Sequence, residues 1–98
     1  MTTQYSPPHP GEFIKETYIK PLNISLRQAA QDLDVSPSTF SRLIKGDSDI
    51  SPEMALKLSK AFGRSPECWM QMQTNYELWR ARRYVNLDRV NVIYAHAH

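Results

Sequence analysis

Three Ser-Pro pairs in the interior of the sequence divide it and constrain its fold more than any other feature. They are Ser36-Pro37, Ser51-Pro52 and Ser65-Pro66. A serine in the N-cap position accepts a hydrogen bond from an unpaired backbone N–H, and a proline in the first helical position has no N–H to leave unpaired. Each pair therefore predicts the start of a helix. His9-Pro10, followed by an acid in the first turn, and Ser25 predict two further starts.

The spacing of apolar residues after each start is helical, so we expect five helices. Pro21 is expected to end the first helix, and Gly46 and Gly63 stand where left-handed C-cap residues are needed. The predicted bounds are about 10–19, 26–33, 37–45, 52–62 and 66–82. Because no alternation of apolar and polar residues precedes residue 84, the predicted fold class is all-α.

The chain of 98 residues suits one domain with a short extension at each end. We predict a flexible arm over residues 1–8, the domain over residues 9–83 and a C-terminal tail over residues 84–98. In the tail, Val90, Val92 and Tyr94 alternate with other residues, which favours a short strand. No other strand is predicted, so this segment either pairs with a second copy of the chain or stays disordered.

Composition argues against several classes of protein. The single cysteine, Cys68, rules out an internal disulfide framework and fits a reducing compartment. No apolar run approaches the roughly 18 residues that cross a bilayer, so we expect a cytoplasmic protein that does not contact the membrane. His9, His96 and His98 lie at the chain ends, away from Cys68. We therefore predict no catalytic site, no metal site and no cofactor, and do not expect an enzyme.

Residues 26–45 have the pattern of a DNA-reading helix-turn-helix. The small side chain of Ala30 allows two helices to cross steeply, and Asp34 stands four positions later, where the turn requires a positive φ. Val35 is expected to fill the core under the turn, and Phe40 to pack the second helix of the motif against the first.

The face of this motif that is not expected to pack in the core is suited to DNA, since no acid lies between Val35 and Gly46. Arginine can bind guanine O6 and N7 with two hydrogen bonds, and serine or threonine can contact bases or phosphates. The start of the motif's first helix can bind phosphate through its N–H groups. The predicted DNA-binding residues are Ser25, Arg27, Gln28, Ser36, Ser38, Thr39, Ser41, Arg42 and Lys45. The alternative is a protein-interaction module in which this polar surface is only solvated.

The fifth predicted helix favours a homodimer, because it carries more aromatic area than so small a core is expected to absorb. A two-fold axis near the C-terminal half would bury the remainder and pair the tails. The predicted interface residues are Trp69, Met72, Tyr76, Trp79, Val90, Val92 and Tyr94. Such a dimer calls for a pseudo-palindromic operator.

Four motifs outside the helix-turn-helix have a distinctive sequence. They are His9-Pro10-Gly11-Glu12, Lys20-Pro21-Leu22, the run from Ile50 to Leu58, and Ser65-Pro66-Glu67-Cys68-Trp69 followed by Gln73, Tyr76, Leu78 and Trp79. Together with the helix-turn-helix, they resemble the HigA (VapI-like) addiction-module antitoxins of the Xre/Cro–C1 repressor superfamily. The resemblance covers about residues 9–79 and implies a Cro/C1-repressor-like (lambda repressor-like) fold.

The resemblance also implies a function. An antitoxin of this family represses its own operon and neutralises a HigB-type mRNA-cleaving toxin by direct binding. The superfamily's base-reading positions fall on Pro37, Ser38 and Arg42. Pro37 has no hydrogen-bond donor, which leaves Arg42 as the best candidate for a base contact. A stand-alone Xre-family regulator without a toxin is the alternative.

An arginine cluster follows the aromatic residues of the fifth helix. Its members are Arg80, Arg82, Arg83 and Arg89. Three interpretations stay open, namely a solvated helix end favoured by the helix dipole, contact with phosphate, or docking of a toxin.

Overall fold

The computed structural model describes residues 6–95, which contain five helices and no strand. The first helix, α1, runs without a break through α-helical Pro10–Ile14, π-helical Lys15–Ile19 and α-helical Lys20–Leu22. The others are α2 (Leu26–Leu33), α3 (Pro37–Lys45), α4 (Pro52–Phe62) and α5 (Pro66–Tyr84). The predicted all-α, five-helix fold is confirmed. Residues 1–5 of the predicted arm and residues 96–98 lie outside the described part of the chain.

Side-chain caps start all five helices at the predicted positions. In α2 to α5, a serine oxygen accepts a hydrogen bond from the backbone N–H three residues further on. These serines are Ser25, Ser36, Ser51 and Ser65. At α1 the cap is a histidine, since Nδ1 of His9 accepts a hydrogen bond from the N–H of Gly11 at 2.9 Å. Loss of one such cap typically costs about 1 kcal/mol.

The prediction that Pro21 ends the first helix is wrong. Helix α1 continues through Pro21 and ends at Asn23, whose φ of 54° is left-handed. A proline inside a regular α-helix clashes with the carbonyl group four residues earlier. Here the wider π-helical turn precedes the proline, and the N–H of Lys20 bonds to a carbonyl five residues back. The added width makes room for the proline ring.

One hydrophobic core joins the five helices. Trp69 of α5 is fully buried in it, and its Nε1 donates to the carbonyl oxygen of Gly63 at 3.0 Å. The buried apolar residues are Ile14, Ile19, Ala29, Ala30, Leu33, Phe40, Leu43, Ile44, Ile50, Met54, Ala55, Leu58 and Trp69. A buried glutamine ties α5 to the loop before α4, because Oε1 of Gln73 accepts from the N–H of Ile50 at 2.9 Å.

The tail leaves the domain after Tyr84 with most of its apolar side chains uncovered. Val90, Val92 and Ile93 are 67, 80 and 99% exposed. The predicted strand is not formed in the described chain. The physical reason is that a strand needs a partner ladder for its backbone hydrogen bonds, and residues 6–95 of one chain supply none. None of the described helices is long and apolar enough to cross a membrane.

Candidate nucleic-acid interface

Helices α2 and α3, with the turn between them, have the predicted helix-turn-helix geometry. Asp34 takes a left-handed φ of 58°, as the turn requires. Ala30 and Phe40 are fully buried, and Val35 is half-buried against the core. The N–H of Val35 donates to the carbonyl oxygen of Ala30 at 3.0 Å and closes the end of α2. The helix-turn-helix predicted from the residue spacing is therefore confirmed.

A side chain outside the motif also contacts the turn. Nζ of Lys57, in α4, donates to the carbonyl oxygen of Asp34 at 2.9 Å. This contact was not predictable from the sequence, because the two residues are 23 positions apart. Their proximity depends on how α4 packs against α2, and no local pattern encodes that packing.

The predicted DNA-binding residues lie on the exposed parts of the motif, except that Ser41 is half-buried. In α3, Ser38, Arg42 and Lys45 are spaced by four and three positions, so they share one face of the helix. Phe40 and the apolar residues that follow it form the buried face. Helix α3 thus presents hydroxyl and basic groups while its apolar side holds it in the core.

Two of the predicted DNA contacts also act as helix caps. Oγ of Ser36 accepts from the N–H of Thr39 at 3.1 Å and donates to Oγ1 of the same residue at 2.7 Å. Oγ of Ser25 accepts from the N–H of Gln28 at 3.0 Å. The side-chain Nε2 of Gln28 donates to Oδ1 of Asp32 at 3.1 Å. The structure therefore fixes the first turns of α2 and α3, where the predicted contacts begin.

The charges on α3 itself favour a polyanion as its ligand. The helix itself contains Arg42 and Lys45 and no acid, and the acids nearest in sequence are Asp34 before it and Asp47 after it. Among residues 6–95, no group of three or more His, Cys, Asp and Glu side chains could hold a metal ion. An exposed helix of this kind can contact base edges and phosphates.

A buried histidine lies behind this interface. The ring of His9 packs edge-on against Tyr76 of α5, with 4.9 Å between centroids. Its Nε2 is 3.9 Å from Oδ1 of Asp49 and has no hydrogen-bond partner among the described residues. Burial lowers the pKa of His9 below its ordinary value, against the opposing effect of the Asp49 carboxylate. From the sequence, His9 was expected only at the start of the first helix, and its burial against α5 was not predicted.

The prediction that Trp69 contributes to a dimer interface is wrong, because the side chain is fully buried within its own chain. Phe13 and Tyr18 of α1 close over it, with ring centroids 6.0 and 6.2 Å away. Met72 packs against the same core, and Tyr76 is half-buried. Packing against α1 thus buries aromatic surface of α5 that was expected to remain exposed within one chain.

Uncovered apolar surface lies instead at the C-terminal end. Of the ten large apolar side chains that are exposed in residues 6–95, eight follow residue 77. They are Leu78, Tyr84, Val85, Leu87, Val90, Val92, Ile93 and Tyr94. Trp79 is half-buried, with the guanidinium of Arg83 5.1 Å from its ring centroid. The tail residues of the predicted interface belong to this surface.

The fold and the acid-free exposed helix define a DNA-binding protein of the helix-turn-helix class. The family model for the helix-turn-helix matches residues 15–67. The uncharacterized HTH-type transcriptional regulator YddM of Escherichia coli K12 is 41% identical over 83 residues, which are 85% of this chain and 87% of that protein.

Two further comparisons identify the family more closely. Antitoxin HigA-1 of Vibrio cholerae is 34% identical over 80 residues, 82% of this chain and 75% of that protein. The structure of Pseudomonas aeruginosa antitoxin HigA with the higBA promoter has a TM-score of 0.75 and 32% identity, covering 79% of this chain and 84% of that one. This chain belongs to the HigA family of Xre-type helix-turn-helix proteins.

Proposed function

We propose that this protein is the antitoxin of a toxin–antitoxin pair, a repressor that binds its own operator and neutralises a HigB-type toxin by direct contact. The observation that carries the proposal is the exposed face of α3, with Arg42 and Lys45 and without an acid. The related HigA-1 is an antitoxin, and the related Pseudomonas protein was solved with promoter DNA. Both support the proposal. The protein acts in the cytoplasm, where its operator is.

In this proposal α3 enters the major groove of the operator. Arg42 forms two hydrogen bonds with a guanine, and Ser38, Thr39 and Ser41 contact neighbouring bases or phosphates. The flanking positions bind phosphate through side chains, capped helix ends and the dipole of α2. These flanking residues are Ser25, Arg27, Gln28, Ser36 and Lys45.

The DNA-binding unit in this proposal is a homodimer. One α3 reaches few base pairs, and a second copy doubles the number of base contacts. The uncovered apolar surface that follows residue 77 supports this arrangement, because an exposed apolar cluster of this kind is typical of interfaces. The proposed dimer interface combines tail residues of this surface with half-buried residues of α5, namely Met72, Tyr76, Trp79, Val90, Val92 and Tyr94. The operator is then a pseudo-palindrome whose half-site centres lie about 10 bp, or a multiple of that, apart.

Two binding experiments test this proposal. The first titrates the protein into a duplex from upstream of its own reading frame and into a scrambled duplex of equal length, over a series of salt concentrations. We expect clear preference for the upstream duplex, and equal affinity for both would overturn operator recognition.

The second experiment co-expresses the chain with the small protein encoded beside it and asks whether the two purify as a complex. Recovery of a stable complex and rescue of growth from that protein's toxicity are the expected results. Operator binding without any complex or rescue would instead establish the alternative, a stand-alone Xre-family regulator.

A further inference from the structure

We propose that Lys57 is a positioning residue for DNA recognition, which holds the turn of the helix-turn-helix and so fixes the direction of α3. The inference rests on the proposed DNA-binding function and deepens it. It assigns the accuracy of base recognition to a side chain that lies outside α2 and α3.

The turn needs such support because of its backbone conformation. Asp34 has φ 58° and ψ 47°, in the left-handed region. A residue with a Cβ atom is disfavoured there, whereas glycine is not. Aspartate adopts this conformation more readily than most residues but less readily than glycine, so a contact with its carbonyl group adds to the stability of the turn.

Lys57 supplies a contact of the right kind. Its ammonium donates to the carbonyl oxygen of Asp34 at 2.9 Å, and the carboxylate of Glu53, one turn earlier in α4, lies 3.4 Å from the same Nζ. Charge-assisted hydrogen bonds are stronger than neutral ones. The Lys57 side chain is 27% exposed, so it is partly covered by the protein although the hydrogen bond lies at the surface.

This hydrogen bond connects the turn to the core of the domain. The turn's other hydrogen bonds in the described chain stay within α2 and α3, as from Val35 to Ala30 and from Thr39 to Ser36. Helix α4, by contrast, is fixed in the core by Ala55 and Leu58, which are fully buried. Lys57 thus ties the turn to a helix that lies outside the helix-turn-helix motif.

A loosened turn should affect base contacts more than phosphate contacts. Arg42 lies in the last turn of α3, where a small change in helix direction displaces it most from the base it binds. Two simultaneous hydrogen bonds to one guanine require a fixed geometry, whereas attraction to phosphate depends mainly on charge. Loss of the Lys57 contact should therefore reduce specificity and leave non-specific affinity unchanged.

The test compares Lys57→Met with Lys57→Arg and with Lys60→Met, a matched control that removes an exposed lysine from the same helix. Affinity for the upstream and the scrambled duplex is measured over a series of salt concentrations. We expect Lys57→Met to bind the upstream duplex about tenfold more weakly, with the scrambled duplex and the salt slope unchanged. Lys57→Arg should restore most of the loss, and Lys60→Met should leave the preference intact.

Two results would overturn the inference. If Lys57→Met loses affinity for both duplexes alike and its salt slope falls by about one, Lys57 is a phosphate contact. If it retains the parent's preference, the hydrogen bond is irrelevant to recognition. The same measurement on Asp34→Gly is informative, because glycine accepts the turn without support. In that background Lys57→Met should cost clearly less than in the parent.

A readout without DNA separates this inference from the proposed function. Exchange of the Val35 amide hydrogen, measured by NMR, should be faster in Lys57→Met than in Lys60→Met, at similar melting temperatures. Equal exchange rates would contradict the role of Lys57 in the turn. A parent protein that fails to prefer the upstream duplex would contradict the proposed function, while amide exchange would still decide the role of Lys57.

Discussion

Gly11 of α1 lies against Leu43 of α3, backbone to backbone. A Cβ atom on Gly11 would overlap the carbonyl oxygen of Leu43 and would lie 3.0 Å from Cα of Ile44. Since backbone atoms cannot move aside as a flexible side chain can, α1 can approach α3 this closely only with glycine at this position.

Gly11→Ala should therefore destabilise the domain by about 1–3 kcal/mol, the range for an overpacked site. The measurement is thermal or urea unfolding followed by circular dichroism. Glu12→Ala, at the exposed neighbouring position, is the control and should change stability by less than about 0.5 kcal/mol. Equal stability of Gly11→Ala and the parent would show that α1 shifts freely.

Arg42→Ala should weaken operator binding by about 1–3 kcal/mol and relax specificity at one base pair in each half-site. The fold should persist because the side chain is exposed. Competition with operators changed at single base pairs measures the effect, with Lys60→Ala as a control for the loss of one positive charge. Unchanged affinity and specificity at matched salt would rule out the proposed docking.

Lys45→Ala and Arg27→Ala should lower affinity for all sequences alike. Each loss of a phosphate contact should reduce the magnitude of the slope of log K against log salt by about 1. The slope is obtained from titrations of upstream and scrambled duplexes at four or more salt concentrations. A loss confined to the upstream duplex would instead assign that residue to base recognition.

Stability should fall as pH decreases below the ordinary pKa of histidine. Burial lowers the pKa of His9 in the folded state, so the unfolded chain binds the proton first and gains free energy from it. Protonation of Nδ1 also breaks the cap at Gly11. His9→Asn, which can cap without titrating, should flatten urea-unfolding free energies measured between about pH 5 and 7. If the unfolding free energy of His9→Asn depended on pH as steeply as that of the parent, His9 would be excluded as the source of the pH dependence.

Deletion of residues 85–98, which begin directly after α5, should weaken dimerisation and operator binding together while helical content is kept. The reason is that the deleted segment carries six of the exposed apolar side chains. Sedimentation at micromolar concentration, with circular dichroism beside it, makes the measurement. Leu56→Ala, which removes an exposed apolar group from α4, is the control. A truncated chain that stays dimeric would assign the interface to α5 alone.

Local chemistry made much of this fold predictable. A Ser-Pro pair specifies a helix start through neighbouring atoms, and the positive φ of Asp34 follows from its place in the motif. The burial of Trp69 and the contact of Lys57 with the turn were not predictable in this way. Both depend on how α1 and α4 pack, which the spacing of residues within one helix does not encode.

In the candidate site, too, local features were predictable from the sequence and long-range contacts were not. Which residues of α3 face solvent follows from helical periodicity and was predicted. That Ser25 and Ser36 cap helices is likewise local. The position of His9 behind the interface depends on contacts with α5 and the loop after α3, and nothing in the order of the residues indicated it.

The π-helical turn in α1 has a consequence for chain length. Ile14 and Ile19 are both buried although they are five residues apart, a spacing that an ordinary α-helix would place on different sides. A π-helical turn is an α-helix that holds one additional residue. A relative with one residue fewer between these isoleucines would place both on the core side in a regular helix. A length difference of one residue can thus be accommodated before Asn23 without changing the register of the proposed DNA-binding residues.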